Sequence, residues 1–214
     1  KFFENIISQC NHLKKNIKYE KDLLKKIEIL TALILSGLVF KDYKENFDFG
    51  LKDLEKFVKT YFDNNGFPLS RNPDDLIFLS KYLLLCAENI KDAQEYVPDF
   101  LEDIIKKNLA CVKFIKAPGN INPLFNGASE NNLELFDDFI EKSKFSQIKE
   151  KTIGGLFYAK SKSQIIYFDV GSPPGKNFSR NYQSGPLSFE YFLDGLKIIT
   201  NCGFGKNTSS KAEL

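Results

Sequence analysis

Residues 154–205 read GGLFYAKSKSQIIYFDVGSPPGKNFSRNYQSGPLSFEYFLDGLKIITNCGFG. The stretch contains a hairpin: Leu187–Leu193, the dipeptide Asp194-Gly195, then Leu196–Thr200. A two-residue Asp-Gly link between aromatic and β-branched runs favours a type I′ turn, which needs positive φ at both central residues. Upstream, Leu156-Phe157-Tyr158 and Ile165-Ile166-Tyr167-Phe168 are short, apolar and aromatic, and read as two more strands. Between them and the hairpin runs an irregular loop, 170–185, dense in Gly, Pro, Ser and Asn. Loops held by a rigid sheet carry sites more often than the sheet does.

Before residue 150 the period is different. Phe3, Ile6, Ile7, Cys10 and Leu13 follow helical spacing, as do Leu23, Leu24, Ile27, Leu30 and Ile34. Gly37 is expected to loosen the end of that second helix. A third helix is predicted over about 47–62 and is ended by Asp63-Asn64-Asn65-Gly66-Phe67-Pro68. The next has a clear start: Asn72 caps, Pro73 suits the first helical position, and Asp74 and Asp75 favour the positive end of the dipole. Another runs from Pro98-Asp99 to Ile115, and a short amphipathic one over 131–143. Helices followed by strands define an α+β chain of more than one domain.

Composition narrows the function. The chain has 214 residues and is 43% hydrophobic, enough for a sizeable core. It has 30 basic and 28 acidic residues, interleaved, which makes a solvated surface and no nucleic-acid stripe. No apolar run reaches the roughly 18 residues of a membrane span. Cys10, Cys86, Cys111 and Cys202 lack metal-ligand spacing and read as buried thiols, with a disulfide left open. The absence of Met and the polar end suggest a fragment. Both arginines, Arg71 and Arg180, sit in the tripeptide Ser-Arg-Asn, while the other 28 basic residues are lysine. A guanidinium grips a carboxylate or sulfate with two parallel bonds, which an ammonium cannot do. The alternative is that each arginine binds backbone carbonyls.

The run Phe168-Asp169-Val170-Gly171-x-Pro173-Pro174, then Ser179-Arg180, then Ser184-Gly185-x-Leu187-Ser188-Phe189-Glu190, then Ile198-Ile199-x-Asn201-Cys202-Gly203 resembles the β-domain entry of the heparinase II/III-like family. Pro123-Leu124-Phe125-Asn126-Gly127 is also similar to that family. The resemblance implies a partial α/α-toroid followed by the start of an antiparallel β-sandwich. It places a helical domain at 1–120, a linker with a short helix at 121–152, and a sheet domain at 153–214. It implies a polysaccharide lyase of the periplasm or cell envelope, cleaving an acidic, uronic-acid-containing glycan such as a glycosaminoglycan by β-elimination.

That chemistry needs donors to neutralise the sugar carboxylate, a base for the adjacent carbon acid, and an acid for the leaving oxygen. Asn11-His12, holding the chain's one histidine, resembles the family's carboxylate-neutralising pair. Gly66-Phe67-x-x-Ser70-Arg71-Asn72-Pro73 resembles the loop presenting a catalytic Tyr, but here Asp74 and Asp75 stand where that Tyr would fall. Arg71 and Asn72 remain candidates for substrate binding. Arg180-Asn181-Tyr182-Gln183 aligns with a family segment bearing a catalytic His and a zinc-binding His, which become Asn181 and Gln183; a further zinc-ligand Asp becomes Asn201. These replacements remove preferred zinc ligands, so no metal and no cofactor are expected. Arg180, Asn181 and Gln183 are read as substrate-binding, and Tyr182 as either the proton-transfer group or an aromatic anchor of the loop. Two further readings stay open. One is a non-catalytic protein that binds acidic glycans. The other is a glycoside hydrolase, for which the adjacent Asp74 and Asp75 are poorly spaced. The oligomeric state is not legible.

Overall fold

A computed structural model describes residues 1–143, 151–180, 182, 183, 185 and 187–203. The helices are α1 (Phe2–Asn16), α2 (Leu23–Val39), α3 (Lys44–Tyr61), α4 (Pro73–Asp92), α5 (Asp99–Ile115) and α6 (Asp137–Lys142). The strands are β1 (Thr152–Ile153), β2 (Leu156–Ser161), β3 (Gln164–Asp169), β4 (Phe189–Leu193) and β5 (Leu196–Ile199). The switch from helix to antiparallel strand is therefore as the periodicity predicts, and the fold is α+β.

Two compact units divide the chain. One comprises 1–61 and 78–105; the other comprises 62–77 and everything from 106 onward. The linear division expected at 120 and 153 differs from this one. The loop 62–72 with the start of α4, and the second half of α5, group with the sheet, where Phe67 lies against Gly154 and Phe114 against Tyr167.

In the first unit α2 is the central helix. Asp22 opens it, its carboxylate accepting from the Leu24 N–H at 3.1 Å. Ile27, Leu30, Leu33 and Ile34 are fully buried, with Leu54 and Phe57 of α3 buried in the same unit. Gly37 does not loosen α2, which continues to Val39. A Cβ on Gly37 would lie 2.3 Å from the Phe47 nitrogen, and one on Gly50 would lie 2.7 Å from Ile34 Cγ1. The two glycines let α2 and α3 approach closely.

In the second unit the five strands form a meander in chain order, all antiparallel. Asp194 and Gly195 have φ of 50° and 83°, the geometry their sequence predicts. Gly154 and Gly155, at 57° and 75°, make the equivalent link between β1 and β2. Leu187, at φ 63°, precedes β4, so that strand starts two residues later than its apolar pattern suggests. Likewise a 3₁₀ turn at Glu134–Phe136 replaces the first part of the helix expected over 131–143. On one sheet face Tyr167 is fully buried, its hydroxyl donating to the Phe114 carbonyl at 3.2 Å. Phe114 and Phe192 meet its ring edge-on, at 6.4 and 6.2 Å between centroids. The other face carries a cross-strand ladder of Phe157, Phe168 and Phe189, with ring spacings of 6.5 and 5.4 Å, and keeps partial exposure.

The glycine contact makes an unusual demand. Gly→Ala inside a helix normally gains up to about 1 kcal/mol. Here Gly37→Ala forces the helices apart and is expected to lower stability by about 1–3 kcal/mol, the scale of overpacking. Urea unfolding checks this; an unchanged or higher midpoint would contradict the close approach.

Candidate functional site

Arg71 lies in the second unit and is buried. The chain reaches it through Pro68, whose carbonyl accepts the Arg71 N–H at 2.9 Å, and Arg71 itself sits at φ 59°. Asn126 holds that backbone, donating from Nδ2 to the Arg71 carbonyl at 2.9 Å. The guanidinium then uses every donor it has. Nε donates to Gly154 O at 3.0 Å; Nη1 donates to Gly171 O and Ser172 O at 3.1 and 2.8 Å. Nη2 donates to Gly155 O at 3.2 Å and to the Asp169 carboxylate in a close ion pair. A guanidinium has five N–H groups, and all five are engaged. A Cβ on Gly155 or Gly171 would fall 2.4–2.5 Å from its atoms, so both glycines are needed for the planar group to fit.

This geometry corrects the expectation for Arg71: no donor is left to grip an acidic sugar. Its alternative reading, an arginine binding backbone carbonyls, describes it. Asn72 is similarly occupied. It is buried, and its Oδ1 accepts the Asp74 N–H at 2.8 Å as the cap of α4. The partner the sequence reading missed is Asp169. Its signal was the Phe-Asp-Val-Gly run, in which an acidic residue interrupts an apolar strand.

Beside this clamp is a hollow of about 410 Å³, bounded by Pro68, Leu69, Gly154, the 171–175 segment and Phe178. Nearby, Asp74 accepts from the Ser129 N–H at 2.8 Å and from Asn131 Nδ2 at 2.9 Å. Burial first, and then the neighbouring Asp75, push its carboxyl up to about 6, against the lowering effect of the Ser129 and Asn131 hydrogen bonds. Further along the unit, Arg180 and Gln183 are exposed and Tyr182 is half-buried, its N–H donating to Ser179 O at 3.2 Å. Asn181 lies outside the described residues.

The residues at the family's zinc positions do not fit that metal. Gln183 is an exposed amide, and Asn201 offers an amide whose buried Nδ2 has no hydrogen-bond partner. Among the described residues no three His, Cys, Asp or Glu side chains gather around a metal-sized space. The nearest carboxylate to Asn201 is Glu190, fully buried, which accepts from the N–H groups of Leu124 and Asn201 and from the Thr200 hydroxyl. Its charge faces Lys197 Nζ at 3.4 Å. None of the four cysteines forms a disulfide: Cys10, Cys86 and Cys111 are buried as expected, but Cys202 is exposed. Burial pushes the Cys86 thiol up to about 11, partly offset by its hydrogen bond to Thr31.

In the first unit Asn11 and His12 do come together. They line an open hollow of about 530 Å³ with Glu4, Ile7, Ser8, Lys15 and Tyr43. His12 is exposed and Asn11 half-buried, so both are accessible to a ligand. The hollow presents an amide, an imidazole, an ammonium and a phenol, the group types that can neutralise a carboxylate and move protons.

A helical segment followed by an antiparallel meander is the fold shared with solved polysaccharide-lyase structures. A heparinase III matches with a TM-score of 0.75 at 13% identity, over 94% of this chain and 38% of its own. A heparinase III with methylated lysines matches at 0.76 and 16%, over 94% and 35%. A mutant of the heparan sulfate lyase HepC from Pedobacter heparinus matches at 0.73 and 15%, over 94% and 36%. The chain thus spans little more than a third of the structures it matches, and at these identities the likeness is one of fold. No protein-family model and no curated protein matches the sequence.

Two outcomes follow from the second unit. Removing one partner of a buried pair leaves the other charge uncompensated, at about 3–5 kcal/mol. Arg71→Met, which removes both the charge and the fork, and Asp169→Asn should each destabilise on that scale in denaturant titration; a loss below 1 kcal/mol would refute the clamp. Asp74 makes the opposite kind of contribution. Its folded-state pKa lies above the ordinary 3.8, so the folded state holds the proton more tightly. Its contribution is therefore intact below about pH 4 and falls as pH rises towards 6. Relative to wild type, Asp74→Asn should gain in melting temperature between pH 4 and pH 7. A difference independent of pH would count against the raised value.

Proposed function

We propose that the chain is part of a polysaccharide lyase that cleaves an acidic, uronic-acid-containing glycan by β-elimination. The observation that carries the reading is the Asn11–His12 pair, lining one open hollow beside Lys15, on a fold shared with heparinase III and heparan sulfate lyase. In this reading the Asn11 amide faces the sugar carboxylate. That interaction strengthens as the adjacent carbon loses its proton and charge moves onto the carboxylate oxygens. The imidazole of His12 can hold the carboxylate or take the proton. Export to the periplasm or cell envelope, where such glycans are met, belongs to the same proposal.

A second reading has its own support: a glycan-binding protein without catalysis. The family's Tyr position holds Asp74 or Asp75, its catalytic-His and zinc-ligand positions hold Asn181, Gln183 and Asn201, and Arg71 is wholly engaged within the protein. Binding would then rest on the Asn11–His12–Lys15 hollow and the exposed Arg180.

The full-length protein should be incubated with heparan-type, chondroitin-type and alginate-type glycans and followed by the ultraviolet absorbance of the unsaturated product. The lyase reading expects that absorbance to grow, and His12→Ala to lower kcat by roughly 10²–10⁴-fold, the range for one acid–base group. Binding without product, weakened by Asn11→Ala and Arg180→Lys, would select the second reading. No binding to any acidic glycan would remove both.

A further inference from the structure

We propose that Tyr43 is the catalytic phenol of the Asn11–His12 hollow, with Lys15 the cation that seats the acidic sugar; this rests on the lyase reading. Glu4, Ile7, Ser8, Asn11, His12 and Lys15 form one stripe of α1, spaced so that they share a face. Off that stripe the hollow is lined by Tyr43, the last residue of a 3₁₀ turn that leads directly into α3.

The turn is tied to α1 at both of its ends. Phe3 of α1 meets Phe40, just before the turn, edge-on at 5.9 Å. Lys14 of α1 donates to Glu45 Oε1 at 3.0 Å and to Asn46 Oδ1 at 3.1 Å, just after the turn. Asn46 is itself buried and donates to Ser36 Oγ at 3.4 Å, so this tie reaches the core of the unit. Tyr43 is thereby held in the same hollow as the amide and the imidazole.

Charge along the stripe gives the hollow a direction. Lys15 is one helical turn from Asn11, whereas Glu4 lies eleven residues from Lys15, about 16 Å along the helix. A sugar carboxylate is attracted to the Lys15 end, beside Asn11 and His12, and away from Glu4. Elimination then needs one base and one acid. His12 takes the proton from the carbon next to the carboxylate. The released electron pair forms the carbon–carbon double bond, the glycosidic C–O bond breaks, and the leaving oxygen takes the phenolic proton of Tyr43. The imidazolium returns a proton to the phenolate through solvent, so the cycle closes without oxidant or reductant. The residue implied by the family segment, Tyr182, is the competing phenol.

Steady-state kinetics on a uronate oligosaccharide, using the full-length protein, test the assignment. Tyr43→Phe should lower kcat by roughly 10²–10⁴-fold. KM, the Kd for uncleaved oligosaccharide and the melting temperature should stay close to wild type, as a purely structural role would not allow. Lys15→Met should raise KM at least tenfold with a smaller effect on kcat. Tyr43→Phe should lose more activity than Tyr182→Phe. A wild-type protein that cleaves, loses activity in His12→Ala and keeps its full rate in Tyr43→Phe would overturn this assignment and leave the lyase reading standing. So would a loss confined to Tyr182→Phe. A wild-type protein with no eliminative activity would overturn both.

Discussion

The second unit depends on one buried group. The Arg71 guanidinium joins three segments far apart in sequence: its own loop before α4, the Gly154-Gly155 turn of the sheet, and the 169–172 segment leaving β3. The carbonyls it binds belong to half-buried turns, and its hydrogen bonds to them help satisfy backbone acceptors that the sheet ladder does not fully use. A buried ion pair adds little net stability against a well-packed apolar pair, yet loss of one partner is severe. The clamp is therefore better understood as fixing which loop lies on which turn. The glycines follow from it, since a side chain on Gly155 or Gly171 would occupy the space of the guanidinium.

The same constraint redirects function. An arginine confined to two loops of a lysine-rich chain looks like a ligand-binding group, because its fork matches carboxylate and sulfate. In Arg71 that fork is used internally, on four carbonyls and a carboxylate. In the first unit, the α1 stripe with Asn11, His12 and Lys15 is open to solvent in one hollow with Tyr43. Its chemistry is acid–base and anion-binding at once, which is what elimination next to a carboxylate requires.

Much of the architecture was legible in the sequence because it rests on local rules. Helical spacing over residues 3–115 and alternation after 150 reflect the two backbone periods directly. Asn72-Pro73-Asp74-Asp75 announced the start of α4, and Asp194-Gly195 the hairpin, since each needs only the conformational preferences of adjacent residues. The Asn11–His12 pair was visible for the same reason: neighbours on one helix need no tertiary information to be found together.

Tertiary structure decided the rest, because it depends on contacts between residues remote in sequence. Whether Arg71 served a ligand or the fold turned on Asp169, 98 positions away. Gly37 read as a helix weakness until Phe47 lay against it, leaving no room for a side chain. Asp74 read as a favourable charge at a helix start, whereas its burial in the folded chain makes its ionisation harder, despite the hydrogen bonds from Ser129 and Asn131. Tyr43 carried no signal of its own, for a tyrosine in a short turn is unremarkable until α1 is placed beside it. Local preference determines which elements form; the desolvation and pairing of groups brought together from a distance determine what each side chain is free to do.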